Sequence, residues 1–221
     1  MKKILIIMLI ISLPFYILLK SVEINTFNKD IYLNSYEKHD APAITGKSME
    51  ELEYITETIL TYLREGLDRK VLEPYFNDRE VQHMEDVKIL FKNGFILKNV
   101  LFFLSLVLII TFVVLKEQRT LAKGLFYGIF IWWGFMLLLF ILSMLDFTKY
   151  FTYFHLIFFD NDLWLLNPKT DLLIQMLPEA FFINIFKRIV LLFMIILAII
   201  QTIAYIFMKK GKGSDEGIIK F

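Results

Sequence analysis

Residues 95–115, FILKNVLFFLSLVLIITFVVL, and residues 124–145, GLFYGIFIWWGFMLLLFILSML, decide the fold. Each is an unbroken apolar run as long as the ~20 helical residues that cross a hydrocarbon core of ~30 Å. A backbone crossing lipid must satisfy its own N–H and C=O groups, so the two runs read as a helical hairpin. Lys116, Arg119 and Lys123 lie in the connection. Working outward, residues 4–19, ILIIMLIISLPFYILL, follow Met1-Lys2-Lys3 and form another apolar run. Lys20-Ser21-Val22-Glu23 is a poor cleavage site, so this run reads as an uncleaved helix with a kink at Pro14. Residues 181–208 form a fourth run, opened by Pro178 and Glu179, which suit a helix start. Lys187 and Arg188 inside it either mark a later membrane boundary or line a site.

The totals agree with a membrane class. Hydrophobic residues make up 57% of the 221, and aromatics 16%, against the ~45–50% apolar content of a soluble domain. A net charge of +1 offers no clustered basic face for nucleic acid. No cysteine is present, which excludes a disulfide framework, a thiol nucleophile and a thiolate metal site. It also excludes this chain from being itself a lipid-modified lipoprotein.

Four spans place Lys2, Lys3, the Lys116/Arg119/Lys123 connection, Lys209, Lys210 and Lys212 on one side. By the positive-inside rule that side is the cytoplasm, and both termini are there. Residues 20–94 and 146–180, richer in acids than in bases, fall outside. The expected fold class is therefore an all-α integral membrane protein: a four-transmembrane-helix bundle with a small extracellular, mainly helical domain that includes a short β-hairpin. The expected divisions are 1–20, a first transmembrane helix; 21–94, the extracellular domain; 95–208, three more transmembrane helices with an extracellular loop at 146–180; and 209–221, a disordered cytoplasmic tail.

Within the outer domain, Val22–Phe27 and Ile31–Tyr36 read as two short strands about the Asn28-Lys29-Asp30 turn. Ser48-Met49-Glu50-Glu51 is a capping-box pattern. Met49, Leu52, Ile55, Ile59, Leu60 and Leu63 then repeat at helical spacing, and Gly66 is a stop. Asp78 is expected to cap a second helix through about Lys92 with Val81, Met84, Val87 and Phe91 on its apolar face. His83 lies on an adjoining face with Glu80, and Asp86 is about one turn beyond.

The run Tyr153–Phe182, YFHLIFFDNDLWLLNPKTDLLIQMLPEAFF, concentrates the remaining chemistry. Polar groups at a membrane boundary cost free energy unless paired, so His155, Asp160, Asn161, Asp162, Asp171 and Glu179 in this aromatic setting mark a functional region. His83 and His155 come from different outer segments, and each lies near a membrane boundary, so the two can meet there. His39 reads as an exposed loop residue. A metal site built from His83, Asp86, His155 and Asp162 lacks any metalloprotease spacing, and no two histidines share a helix. No cofactor motif is present. There is no nucleophile elbow, and Ser12, Ser105 and Ser143 lie within spans. What remains is histidine as general base for a nucleophile that the substrate brings. Asp86, Asp160 or Asp162 could orient it, and Asn161 or Trp164 could donate to a developing oxyanion. The same residues also serve as ordinary turn-formers and interface aromatics.

Two motifs carry a resemblance. They are Glu80-Val81-Gln82-His83-Met84-Glu85-Asp86-Val87-Lys88 and the pattern Phe154-His155, Phe158-Phe159, Asn161-Asp162, Trp164, Leu166, Pro168, Thr170-Asp171, Leu173-Ile174, Pro178-Glu179 and Phe181-Phe182. Together with the order of spans, they resemble the lipoprotein intramolecular transacylases of low-GC Gram-positive bacteria over nearly the whole chain. The resemblance implies an acyltransferase whose partner is a diacylated lipoprotein in the outer leaflet, whose catalytic pair matches His83 and His155, and which moves the sn-2 acyl chain from the glycerol ester to the α-amine of the N-terminal cysteine. That chemistry suits the residues: ester to amide runs downhill, so no nucleotide or metal is required, and aromatic walls around His155 suit acyl chains arriving laterally. The rival expectations are a non-catalytic membrane protein that binds a partner through residues 20–94, and a membrane metalloenzyme.

Overall fold

The computed structural model describes residues 2–216, with side chains through Lys209. Among them are nine α-helices, a 3₁₀ turn at Arg69–Val71, and no strand. The helices are α1 Lys2–Thr26, α2 Lys29–His39, α3 Ala41–Thr45, α4 Met49–Glu65, α5 Asp78–Val114, α6 Gln118–Leu145, α7 Phe147–Phe158, α8 Leu172–Met176 and α9 Glu179–Glu216. α1, α5, α6 and α9 are long and apolar enough to cross a membrane. The contacts group into two compact units. One comprises the described residues of Met1–Ser21, Leu97–Ile141 and Ile189–Phe221, and the other Val22–Ile96 and Leu142–Arg188.

The first unit is built as lipid requires. Leu9, Phe112, Ile129, Phe193 and Leu197 are fully buried, while Ile4, Phe103, Ile131 and Leu191 point outward. With no water to drive association, membrane helices rely on close approach and on interhelical hydrogen bonds. Both are present. A Cβ added at Gly128 would lie 2.4 Å from Ile10, and one at Gly124 would lie 2.8 Å from Ile6, so α6 meets α1 at positions only glycine fits. Pro14 lies inside α1 and has no N–H, which leaves the Ile10 carbonyl, four residues earlier, without its helical donor. The Trp132 indole N–H supplies one at 2.8 Å. Gln201 accepts from Trp133 Nε1 at 3.0 Å and donates to the Phe126 carbonyl at 2.8 Å, tying α9 to α6. The hydroxyls of Ser12 and Ser105 pair at 2.9 Å, so neither is poised as a nucleophile.

The second unit departs from the expected hairpin. α1 continues through Thr26, and Ile31–Tyr36 belongs to α2. The reason is local. The Asn28 side chain accepts from the Asp30 N–H and caps α2 instead of turning a hairpin. Ile31, Tyr32, Ser35 and Tyr36 are the buried set, a four-residue spacing that fits a helix and not a strand. His39 accordingly ends a helix and is half-buried, not an exposed loop residue. The capping box at Ser48 and Glu51 forms, and Gly66 closes α4 with φ of 70°. Leu52, Ile55, Ile59, Leu60 and Leu63 face the core. The Tyr36 hydroxyl meets Thr56 Oγ1 at 2.7 Å inside it.

Two boundaries also moved. The helix expected over Asp78–Lys92 and the span expected over 95–115 are one element, α5, of 37 residues. Such a helix is about 55 Å long, nearly twice the ~30 Å hydrocarbon core, so its charged first turns stand clear of the apolar segment. Gly94 costs only about 1 kcal/mol in a helix interior and does not interrupt it. α9 runs on to Glu216, beyond the expected end at Met208. The rest of the expected tail, residues 217–221, lies outside the described residues.

A double-mutant cycle tests the Pro14 relation. Trp132→Phe removes the donor to Ile10 and should cost about 1 kcal/mol. Pro14→Ala restores the backbone donor, so Trp132→Phe in the Pro14→Ala background should cost clearly less, measured by equilibrium unfolding in mixed micelles.

Candidate active site

Two helices of the second unit present the histidines. α5 carries His83 in its second turn, and α7 carries His155 one turn before its end. Each is only 8% exposed. Their ring centroids are 6.2 Å apart, with the planes tilted by 36°. Aromatic rings close the surroundings. Phe159 meets His83 edge-on at 5.3 Å, Phe151 meets His155 edge-on at 4.4 Å, and Trp164 stacks on His155 at 4.6 Å.

His155 has a defined tautomer. Its Nδ1 lies 2.7 Å from the Phe151 carbonyl oxygen. A carbonyl only accepts, so Nδ1 carries the proton and Nε2 of the neutral ring keeps a lone pair. Buried Nδ1 of His83 has no hydrogen-bond partner. Desolvation pushes both imidazoles below the ordinary value of 6.5, His83 to about 4. For His83 the neighbouring His155 adds to the drop, while Asp86 opposes it. For His155 the Phe151 carbonyl opposes it. Both rings are therefore neutral at pH 7, and one can act as a base.

The other sequence candidates divide. Asp86 accepts from Asn161 Nδ2 at 2.8 Å. Asn161 also takes the Leu163 N–H on its Oδ1 and the Trp164 indole N–H, at 2.9 Å, on its backbone carbonyl. Trp164 therefore spends its N–H within its own loop and offers His155 its ring face. Asp162 is exposed and pairs with Arg79 at 3.3 Å, and Arg79 also donates to the Asp162 carbonyl. Asp160 is exposed. Asp86 and Asn161 thus join the His155 loop to the His83 helix, and neither Asp160 nor Asp162 is bonded to an imidazole. Among the described residues, no three His, Asp or Glu side chains converge as a metal site.

Sequence reasoning missed the group that holds this arrangement. Glu80 is 1% exposed. One carboxylate oxygen accepts the Asn77 N–H at 2.9 Å, and the other accepts the Leu173 N–H at 2.6 Å. Asn77 in turn accepts the Glu80 N–H at 3.1 Å and donates from Nδ2 to Asp171 at 3.1 Å. Asn77 and Glu80 are thus a capping box at the start of α5, and Asn77, not Asp78, is the cap. The signal was in the sequence, because Asn77-Asp78-Arg79-Glu80 has the same spacing as the Ser48 box. The second use of Glu80, closing the first turn of α8, had no local signature. Burial raises its carboxyl despite two amide bonds, and nearby Asp171 adds to the rise. Asp171 is held low, chiefly by the Asn167 N–H.

A family model described as lipoprotein intramolecular transacylase Lit matches residues 7–182. No curated protein sequence matches the chain. Among solved structures, the fold is similar to that of the membrane integral lipoprotein intramolecular transacylase Lit from Bacillus cereus, with a TM-score of 0.83 at 21% identity over 96% of this chain and 98% of that one. Two variants of that protein, with one histidine replaced by arginine or by alanine, give TM-scores of 0.82 and 0.79 at the same 21% identity, over 97% and 96% of this chain and 95% and 96% of theirs.

Two outcomes follow from the geometry. Glu80→Ala leaves two backbone N–H groups without an acceptor and should cost about 3 kcal/mol, read as a lower thermal midpoint in detergent. The lowered histidines make the unfolded chain bind more protons, so stability is complete above pH 6.5 and falls as pH drops from there toward 4. His83 alone should cost about 2 kcal/mol between pH 7.5 and pH 5. Thermal midpoints across that range should flatten in His83→Ala.

Proposed function

This chain belongs to the lipoprotein intramolecular transacylases, multi-pass membrane acyltransferases that act on lipoproteins, and from that premise we propose that it moves the sn-2 acyl chain of a diacylglyceryl lipoprotein from the glycerol ester to the α-amine of the N-terminal cysteine. The product keeps one chain on glycerol and carries one on nitrogen. Family membership answers the rival reading of a non-catalytic binding subunit. The observation that carries the mechanism is the pair of buried, neutral rings 6.2 Å apart, one with its Nε2 lone pair defined by the Phe151 carbonyl.

The steps follow from those rings. An α-amine has a pKa of about 8, so a minority is uncharged and nucleophilic at pH 7. That nitrogen attacks the ester carbonyl of its own molecule, and holding the two in a near-attack geometry is worth roughly 7–11 kcal/mol in good intramolecular cases. As the N–C bond forms, His155 Nε2 takes the amine proton. The tetrahedral oxyanion then collapses, the ester C–O bond breaks, and the glycerol oxygen takes a proton from an imidazolium. His83, whose Nδ1 is buried and unpaired, is suited to hydrogen-bond the oxyanion or to relay that proton. Desolvation helps both roles, since a buried imidazolium returns its proton readily. Asp86, Asn161 and Trp164 act through position: the first two fix the loop, and the Trp164 ring sets the plane of His155. Asp160 and Asp162 lie at the exposed rim. The distribution of Lys and Arg along the chain supports cytoplasmic termini and histidines at the extracellular face, the side from which a lipoprotein held in the outer leaflet would reach them.

The test is the N-terminus of a lipoprotein from a strain that otherwise makes only the diacylated form, determined by mass spectrometry after expression of this protein. Wild type should give the N-acylated, glycerol-monoacylated cysteine. His83→Ala and His155→Ala should each lower the converted fraction by 10²–10⁴-fold, about the contribution of a positioned acid or base. Trp164→Phe, which keeps a ring on His155, should retain most activity. A well-folded, abundant wild type that leaves the lipoprotein unchanged would overturn the assignment.

A further inference from the structure

α7 turns His155 inward and an uncovered apolar belt outward. Tyr153, Phe154, Leu156, Ile157 and Phe158 are all exposed, Ile157 the most at 74%, and Leu165 beyond the helix is 56% exposed. At about 100° per residue, Ile157 lies roughly 160° around the axis from His155, with the other belt residues to either side. A soluble surface rarely leaves so contiguous an apolar patch without a partner. α7 has no acidic residue, and its one lysine, Lys149, lies in the first turn with Nζ 6.0 Å from the Tyr153 ring, as a snorkelling cation does. With 12 residues, α7 is about 18 Å long and too short to cross a bilayer.

The chain itself says what covers the belt. α6, long and apolar enough to span, ends at Leu145, and α7 starts at Phe147. The single residue between them, Asp146, reaches no more than about 3.6 Å when extended. Its side chain accepts the Lys149 N–H at 3.0 Å, which caps α7 where it leaves the span. α7 therefore begins where a helix able to span the membrane ends.

We propose that α7 lies in the plane of the membrane interface, with its Ile157 side immersed among lipid acyl chains and its His155 side turned toward the headgroups. In-plane amphipathic helices sink about 5–10 Å into the headgroup–acyl boundary. A helix with side chains is about 10–12 Å across, so immersion on one side holds the opposite side near the level of lipid ester carbonyls. α7 then acts as a depth gauge that brings His155 to the bond to be broken. That consequence rests on the transacylase reading, whereas the immersion does not.

The absence of cysteine allows a direct measurement. Full-length Ile157→Cys and Leu156→Cys, each spin-labelled and reconstituted in phosphatidylcholine–phosphatidylglycerol vesicles, would be compared with Glu65→Cys on α4. Labels at 157 and 156 should collide with oxygen several-fold more often than with a water-soluble nickel chelate, and the Glu65 label should show the reverse. Nickel access at 157 and 156 equal to that at Glu65 would overturn the proposal, as would labels shielded from both reagents, which would mean that protein covers the belt. Collision rates are read without turnover, so a failed depth prediction and a failed reaction assignment are distinguishable.

Discussion

The site depends on one buried carboxylate. Glu80 accepts a backbone N–H from each of two helix starts, Asn77 on its own helix and Leu173 on α8, 93 residues away. A carboxyl so deeply buried is costly unless it is hydrogen-bonded, and here both oxygens are used. Asp171 is drawn in through Asn77. Together with the Asn161–Asp86 bond, these contacts tie the loop that carries Trp164, which stacks on His155, to the helix that carries His83.

The site also illustrates how burial selects a protonation state without any charged partner. Among the described residues no carboxylate is bonded to either imidazole; Asp86, whose charge acts on His83, is bonded to Asn161. Phenylalanines and a tryptophan take the place that a carboxylate holds in a serine-hydrolase triad, and they favour the neutral ring. That state suits the reaction proposed above: a strongly basic histidine would arrive already protonated, whereas a desolvated one is free to accept a proton from an attacking amine.

Much of this was legible in the chain, and the exceptions share a cause. Span count and the α4 helix follow from period and capping, which are local, and those expectations agree with the structure. The stretch Val22–Tyr36 misled because Ile, Val and Tyr favour strands by composition, whereas Asn28 as a helix cap and the burial of Ile31, Tyr32, Ser35 and Tyr36 depend on what α2 packs against. Asn77 and Glu80 had a readable capping box, but the use of Glu80 by α8 is a contact between residues far apart in sequence. The pairing of His83 with His155 was legible only through the resemblance and the shared side of the membrane. The indole donor to Ile10 was invisible even with Pro14 in view, because a missing N–H says that a carbonyl is orphaned and not which side chain will reach it.

That last feature bears on how the protein is made. Ile10 and Trp132 are separated by 122 residues. At about 5–20 residues per second, synthesis of that interval takes roughly 6–24 s. During that time α1 has one carbonyl that its own helix cannot satisfy, and a glycine-lined partner that does not yet exist. A lipid environment penalises such a group throughout, so nascent α1 gains by staying beside water or the insertion machinery until α6 emerges. α1 is in this sense made well before it can be finished.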